Sequence, residues 1–294
     1  MNTNHPFRNL LATLALCGLT SGTAFSQHAA YHLFREDGKK VKYEKMAEEA
    51  GRADVVLFGE LHNNPISHWL QIELTADLFA ARGSDLMLGA EMFEADNQLI
   101  MDEYLSGIIT RQKFEDEARL WKNYSTDYKP LVEFARNHNL PFIATNIPRR
   151  YANSVFNQGI SVLDSLSAEA YNYIAPLPLE YDTSLNCYNQ LMHGSEMQGH
   201  GSINLADAQA IKDATMSHFI MEHWEPGRLM IHFNGAYHSD DFESIYWWLK
   251  RAGPDLKIIT ISTVSAQEPG TLSEENEGKA DFIISVPSNM TTTY

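Results

Sequence analysis

Short apolar runs recur along the chain and alternate with longer amphipathic stretches. Six such runs predict strands, at 54–59, 86–90, 141–145, 228–234, 257–262 and 281–286. Most are continuously apolar, which is typical of strands that are covered on both faces in a parallel sheet. Helical patterns fill the intervals, at 66–82, 95–106, 127–138, 162–174, 204–223 and 240–251. The alternation predicts a three-layer α/β fold, with a mainly parallel central sheet and helices on both faces.

Two intervals depart from a simple repeat of strand and helix. Residues 31–43 predict a small hairpin, because Asp37-Gly38 is a strong signal for a tight turn, and a helix follows at 44–50. More than 80 residues separate the third strand from the fourth, which is too long for one crossover helix. We therefore expect a helical insertion between these strands, in a region at roughly 95–225 of a single domain that spans 27–294.

The first 26 residues have the pattern of a signal peptide. Arg8 is their only charged side chain, an apolar stretch covers 10–19, and small residues at 24 and 26 suit a signal peptidase. We expect cleavage after Ser26 and export to the periplasm or to the outer membrane. A buried N-terminal helix is one alternative. A lipoprotein anchored through Cys17 is another, although Leu16 is bulky for the preceding position. No later apolar run approaches the roughly 20 residues that span a bilayer.

Composition and charge narrow the classes of function. The chain has 294 residues, of which 44% are hydrophobic and 20% charged, as in an ordinary globular protein. The formal net charge of -16 repels nucleic acid and anionic lipid, so nucleic acid is not an expected partner. Removal of the first 26 residues leaves Cys187 as the single cysteine. That excludes an intrachain disulfide and a cysteine-based zinc or iron–sulfur site.

Polar side chains collect where the predicted strands end. Ligands bind to open parallel sheets outside the carboxyl ends of the strands, so the residues that follow each strand are site candidates. Four strands contribute two histidines, three carboxylates, two arginines and a tyrosine: Glu60, His62, Glu91, Glu94, Arg149, Arg150, Tyr151 and His238. Structural roles stay open for them, since His62 could bond to backbone, Glu60 and Glu91 could cap helices or pair with Arg149, and Tyr151 could simply pack.

Two histidines and two carboxylates in this set predict a metal site. His62 and His238 would bind the metal, with Glu60 or Glu91 as a third ligand, and zinc, manganese or cobalt would suit these donors. The other carboxylate would be the catalytic general base toward a metal-bound water. This first hypothesis is a metal-dependent hydrolase.

The segment 192–201 supports a different hypothesis, a haem carrier. It combines two methionines, two histidines and several glycines, so His193 and His200 are candidate ligands for a haem or a metal. A mobile loop without ligands is the alternative for this segment.

Lys212 stands out in the helix at 204–223, because it falls on the apolar stripe of that helix. An inward lysine usually meets a carboxylate. We expect Lys212 to pair with Glu60 or Glu91, the alternative being that it extends to solvent.

Five segments together resemble one family, the ChaN-like haem-binding proteins. This family belongs to a superfamily with the Tiki and TraB proteins and the erythromycin esterases. The matching segments follow the family's order and cover nearly the whole mature chain: GELH at 59–62, GAEMFEADNQ at 89–98, PFIATNIPRRYA at 141–152, ADAQAIKDATM at 206–216 and NGAYHSD at 234–240.

The resemblance implies a haem-binding protein in iron acquisition, often associated with the outer membrane and served there by a haem receptor. In the family, two haems stack across a homodimer, and a tyrosine that matches Tyr151 holds each iron. Arg149 or Arg150 would then meet a haem propionate. His62 and His238 resemble metal-associated positions of the Tiki branch, which hydrolyses peptides. The ChaN branch resembles a binding protein more than an enzyme.

Overall fold

The central element of the protein is one sheet, seen in a computed structural model that describes residues 1, 29–193 and 203–294. Its strands within these residues are β1 (His32–Arg35), β2 (Val55–Glu60), β3 (Leu86–Glu94), β4 (Phe142–Asn146), β5 (Leu229–Gly235), β6 (Ile258–Ala266) and β7 (Phe282–Pro287). The sheet has the order β1-β7-β6-β2-β5-β3-β4. Every neighbouring pair is parallel except β1, which runs antiparallel to β7. The predicted α/β class and all six predicted strands are confirmed.

Helices lie on both faces of this sheet. In the described residues they are α1 (Tyr43–Ala50), α2 (Pro65–Arg82), α3 (Gln98–Leu105), α4 (Arg111–Glu117), α5 (Lys129–His138), α6 (Arg149–Gln158), α7 (Asn186–His193), α8 (Ile203–His223) and α9 (Ile245–Ala252). None of the helices in the described ranges combines the length and the apolar character that crossing a membrane requires.

The side chains of β2 alternate between two hydrophobic cores. Val56 and Phe58 pack in the core that α2, α3 and α5 cover. Val55 and Leu57 pack in the opposite core, against α8 and α9. All six residues of β2 are buried, because both faces of the strand are covered. This arrangement explains why its sequence is a continuous apolar run.

The predicted hairpin at 31–43 is present but short. Gly38 N donates to Arg35 O at 3.0 Å in the turn. The hydrogen bonds from Arg35 N to Lys39 O at 2.8 Å and from Val41 N to Leu33 O at 3.0 Å flank an antiparallel bridge between Phe34 and Lys40. The strand pairing that the sequence does not predict is that of β1 with β7, which comes from the other end of the chain. A local turn signal cannot reveal a partner so distant in sequence.

The region between β4 and β5 is helical, as predicted, but differs in detail. It contains α6, α7 and α8, and α8 packs directly on the sheet. The α-helix predicted at 162–174 is wrong: two short 3₁₀ segments, Ile160–Ser165 and Ala170–Tyr173, lie there, separated by an extended Leu166. The range 95–225 also contains β4, so its helices fall in two groups, one before and one after that strand.

Candidate functional site

Glu60, the last residue of β2, supports the site from behind. Its carboxylate accepts hydrogen bonds from Tyr128 Oη at 2.7 Å and from Gln71 Nε2 at 2.5 Å. The same group lies 2.9 Å from His62 Nδ1. Since Glu60 is buried and has these three partners, it orients His62 and does not face an open space. It neither caps a helix nor pairs with Arg149.

His62 lies in the loop between β2 and α2, directly before the start of the helix. Asn64 fixes that start, because its side chain accepts hydrogen bonds from Ile66 N and Ser67 N. The His62 side chain is 35% exposed, and its ring meets Trp121 edge-on at 5.0 Å. Burial lowers the pKa of His62, but the hydrogen bond that His62 donates to Glu60 and the nearby charge of Glu91 outweigh burial and raise this pKa.

His238 is buried between two carboxylates. Its Nε2 lies 3.3 Å from Glu91 Oε1, and its Nδ1 lies 2.5 Å from Asp213 Oδ1. Burial alone lowers the pKa of His238, but the two carboxylates raise it to about 10. His238 is therefore an imidazolium at neutral pH. Glu91 completes its own set of partners by accepting a hydrogen bond from Gly235 N at 2.7 Å.

A chain of side chains holds Asp213 in place. Tyr188 Oη donates to Asp213 Oδ2 at 2.9 Å, and Trp248 Nε1 donates to Tyr188 Oη at 3.0 Å. These contacts link α7, α8 and α9 behind the site. Sequence reasoning missed Asp213, although a signal was present: it lies three residues after Ala210 and seven before Ile220, on a buried stripe of α8 where a carboxylate needs a partner.

The glycines at the strand ends serve close packing. The sequence predicts that Gly59 and Gly235 permit sharp turns, yet neither is among the residues with positive φ. A Cβ on Gly235 would lie 2.8 Å from His62 Nε2, and a Cβ on Gly59 would lie 2.9 Å from Ala236 Cα. The missing side chains let the His62 ring and the chain after β5 approach the sheet.

Two neighbouring cavities open beside the carboxyl ends of β3 and β4. The outer groove has a volume of about 700 Å³, and its walls include Glu94, Arg119, Leu120, Trp121, Arg149 and Arg150. The inner cavity has a volume of about 240 Å³, and its walls include Glu91, Glu94, Trp121, Asn146, Arg149 and Lys212. Glu94, Trp121 and Arg149 belong to both, so the two spaces share one wall.

The first three residues of α6, Arg149, Arg150 and Tyr151, have different surroundings. Arg149 lies with its guanidinium 5.9 Å from the centre of the Trp121 ring. Arg150 pairs with Asp96 at 2.7 Å and stacks on the ring of Tyr151 at 4.4 Å. Tyr151 packs partly against the hydrophobic cluster below α6, outside the residues that line the two cavities.

The remaining sequence-based candidates lie apart from this cluster or outside the described residues. His193 is the last residue of α7 and is exposed. His200 lies outside the described residues. Lys212 lines the inner cavity beside Glu91, but no carboxylate of the described residues forms an ion pair with it, so the predicted pairing with Glu60 or Glu91 is wrong. Both glutamates are already engaged by histidines.

The donor set does not fit the predicted divalent metal. Among residues 29–193 and 203–294, no group of three or more His, Cys, Asp or Glu side chains could hold a metal ion. The physical reason is that both nitrogens of His238 are already engaged by protein groups, since each faces a carboxylate and Gln209 Nε2 also lies 3.0 Å from Nδ1. The carboxylate of Glu60 likewise already accepts hydrogen bonds from Tyr128 and Gln71.

Fold and site together define an α/β protein with its candidate site at the carboxyl edge of a parallel sheet. The family model described as "Haem-binding uptake, Tiki superfamily, ChaN" matches residues 46–249. This match covers more than half of the chain, so the chain belongs to that family.

Solved structures agree on the fold. ChaN of Campylobacter jejuni, described with cofacial haem binding, superposes with a TM-score of 0.67 at 17% identity, over 86% of this chain and 96% of that chain. A mutant of the erythromycin esterase EreC in its open conformation gives a TM-score of 0.52 at 11% identity, over 88% of this chain and 98% of that chain. No curated protein matches the sequence.

Proposed function

We propose that this protein binds haem in the outer groove and carries it outside the cytoplasm during haem and iron acquisition. The observation that carries the proposal is the shared position of Arg149 and Trp121 on the wall of that groove. A groove of about 700 Å³ lies within the range of about 300–1,000 Å³ that ligand sites occupy.

A porphyrin needs a flat apolar surface for its ring and cations for its propionates. The Trp121 indole offers the first, and Leu120 extends it. Arg119 and Arg150 are already paired with Glu94 and Asp96. Arg149 forms no ion pair with any described residue, so its guanidinium is free to bind a carboxylate through two parallel hydrogen bonds.

We also propose Tyr151 as the axial ligand of the iron and a homodimer that stacks two haems face to face. Tyrosine is an accepted ligand of haem iron. Tyr151 follows Arg149 and Arg150 on α6, its ring contacts Arg150, which lines the outer groove, and the ChaN of Campylobacter jejuni is described with cofacial haem binding. His193 and His200 are the alternative ligands. Export after cleavage at Ser26, to the periplasm or the outer membrane, and delivery to an outer-membrane haem receptor complete the proposal.

An optical titration of the purified haem-free protein with ferric haem tests this proposal. We expect saturable binding with an altered haem spectrum, a changed spectrum for Tyr151→Phe, and affinity weakened about tenfold for Arg149→Ala. Tyr246→Phe and Arg52→Ala are matched controls outside the groove and should bind as the wild type does.

Three results would change this view. An unchanged spectrum in Tyr151→Phe would move the ligand to His193 or His200. Unchanged affinity in Arg149→Ala would move haem out of the outer groove. Binding no stronger than to an unrelated acidic protein would refute the carrier function itself.

The alternative function, a metal-dependent hydrolase with Glu60 and Glu91 as catalytic carboxylates, is not favoured by the geometry. Both carboxylates are held by fixed partners, and His238 is protonated between Glu91 and Asp213. Burial raises the pKa of Glu91, but His238, His62 and Gly235 N outweigh burial and hold this pKa well below its usual range, which makes Glu91 a weak general base. The haem carrier therefore agrees better with this site.

A further inference from the structure

The inner cavity brings two cations together in a strongly acidic protein. Its wall contains two cations, Arg149 and Lys212, and two carboxylates, Glu91 and Glu94. Glu91 is held by His238 and by Gly235 N, and Glu94 lies 2.9 Å from Arg119. Neither cation forms an ion pair with a described residue. Arg149 thus has no carboxylate partner, whereas Lys212 lies near Asp213, which shares the single charge of His238 with Glu91.

The inner end of the cavity also leaves a hydrogen-bond acceptor without a donor. Asn146 Nδ2 donates to Glu91 O at 3.0 Å, which fixes the orientation of the amide. Asn146 Oδ1 is then buried and has no partner. Lys212 lines the same cavity, and an ammonium has three donors, so it is able to serve this oxygen and a bound anion together.

The amino end of α6 adds to the positive potential. Ile147, Arg149 and Ala152 all line the inner cavity, and no side chain caps the start of this helix. The free amides and the dipole at the start of a helix favour negative charge. Two features therefore favour an anion in the same enclosed space: two cations without an ion pair among the described residues, and an uncapped helix start.

We propose that the inner cavity is a carboxylate-binding subsite in which Lys212 and Arg149 hold one propionate of a haem in the outer groove. This inference rests on the proposed function, because the two cavities share Glu94, Trp121 and Arg149. Arg149 lines both spaces and Lys212 lines the inner one, so these two cations would hold a propionate that enters from the outer groove. The subsite would fix which edge of the porphyrin points into the protein. The same chemistry would hold the carboxylate of a free small acid, which the experiment distinguishes.

The test compares haem with its dimethyl ester, in which both propionates are blocked. We expect the wild type to bind haem at least about tenfold more tightly than the ester. Lys212→Met, which keeps the length and removes the charge, should lose most of this preference. Lys212→Arg should restore it. Lys113→Met is the matched control, since Lys113 is exposed on α4 and has no ion pair in the described structure.

A calorimetric titration with succinate separates the two carboxylate sources. Succinate binding that disappears in Lys212→Met, together with an unchanged preference for haem over the ester, would assign the subsite to a free acid and overturn the propionate as occupant. An unchanged preference without succinate binding would refute the subsite. If the wild type bound neither haem nor its ester, the haem function would fall, while succinate binding that depends on Lys212 would still support the anion site.

Discussion

Among single residues, His238 is the most strongly constrained group of the candidate site. Glu91 comes from β3 and Asp213 from α8, so the imidazolium joins the sheet to a helix that packs on it. Such a buried ion set is costly to break, because removal of one member leaves the other charges without compensation. His238 therefore has a structural role that is independent of any ligand.

The free energy of unfolding should depend on pH through this group. His238 has an ordinary pKa of 6.5 and a folded-state pKa of about 10, because the effect of Glu91 and Asp213 exceeds that of burial. The contribution of His238 to the free energy of unfolding is complete below pH 6.5 and is lost as the pH rises toward 10. The free energy of unfolding falls by at most about 1.4 kcal/mol per pH unit in this window. Urea unfolding across this window should show the loss in the wild type and a flatter profile in His238→Gln. The exposed His138→Gln is the control, and an equal slope in His238→Gln would contradict the assignment.

At the residue level the sequence predicts the strand-end groups better than their partners. His62, Glu91 and His238 were predicted to meet because each follows a parallel strand, and the structure brings them together around Gly235. Asp213, Gln71 and Tyr128 were not predicted. They lie within helices or next to one, where no strand-end rule applies and only the tertiary packing decides which side chain reaches the site.

At the level of elements, β2, β6 and the turn after β5 pack closely at Gly59, next to the site. Continuous apolar runs predicted these strands well, because burial on both faces removes the polar alternation. The short helices α4, α6 and α7 were missed as elements, since each has only seven to ten residues and a mixed pattern. The strand partner of β1 could not be predicted, because pairing between distant segments leaves no local signal.

Two glycine substitutions should show whether a new methyl group is less costly next to a side chain than next to the backbone. In Gly59→Ala the new Cβ meets backbone atoms, Ala236 Cα at 2.9 Å and Ile261 O at 3.0 Å, so we expect a loss of about 1–3 kcal/mol in unfolding free energy. In Gly235→Ala it meets the ring of His62, a half-exposed side chain that is able to rotate away.

Chemical denaturation of both variants measures this difference, and NMR of the His62 imidazole reports its displacement. Gly235→Ala should cost less than Gly59→Ala while shifting the His62 resonances. Equal unfolding free energies of the two variants would contradict this prediction, because the backbone near Ala236 would then move aside as readily as the His62 ring.

At the level of the whole molecule, acidic side chains outnumber basic ones, 38 to 22. A net charge of -16 favours solubility and excludes non-specific binding to nucleic acid. Arg149 and Lys212 line the two cavities and form no ion pair with a described residue. An anionic ligand in these cavities would meet both cations.

Export gives a prediction that a mass measurement checks. When the full chain is produced in a bacterium with a periplasm, the protein recovered from that compartment should begin at Gln27, and its intact mass should equal that of residues 27–294. A Ser26→Leu variant should be processed poorly, because a bulky residue does not fit the peptidase. A mass that includes a lipid on Cys17 would instead support the lipoprotein alternative, and an uncleaved cytoplasmic protein would refute export.

The pairing of β1 with β7 ties the beginning of the fold to its end. Among the strands of the described residues, β1 is synthesised first and its partner β7 last. Completion of the sheet must therefore wait until β7 has left the ribosome. A chain that cannot finish its sheet early stays open for longer, which is the state that a translocation channel accepts.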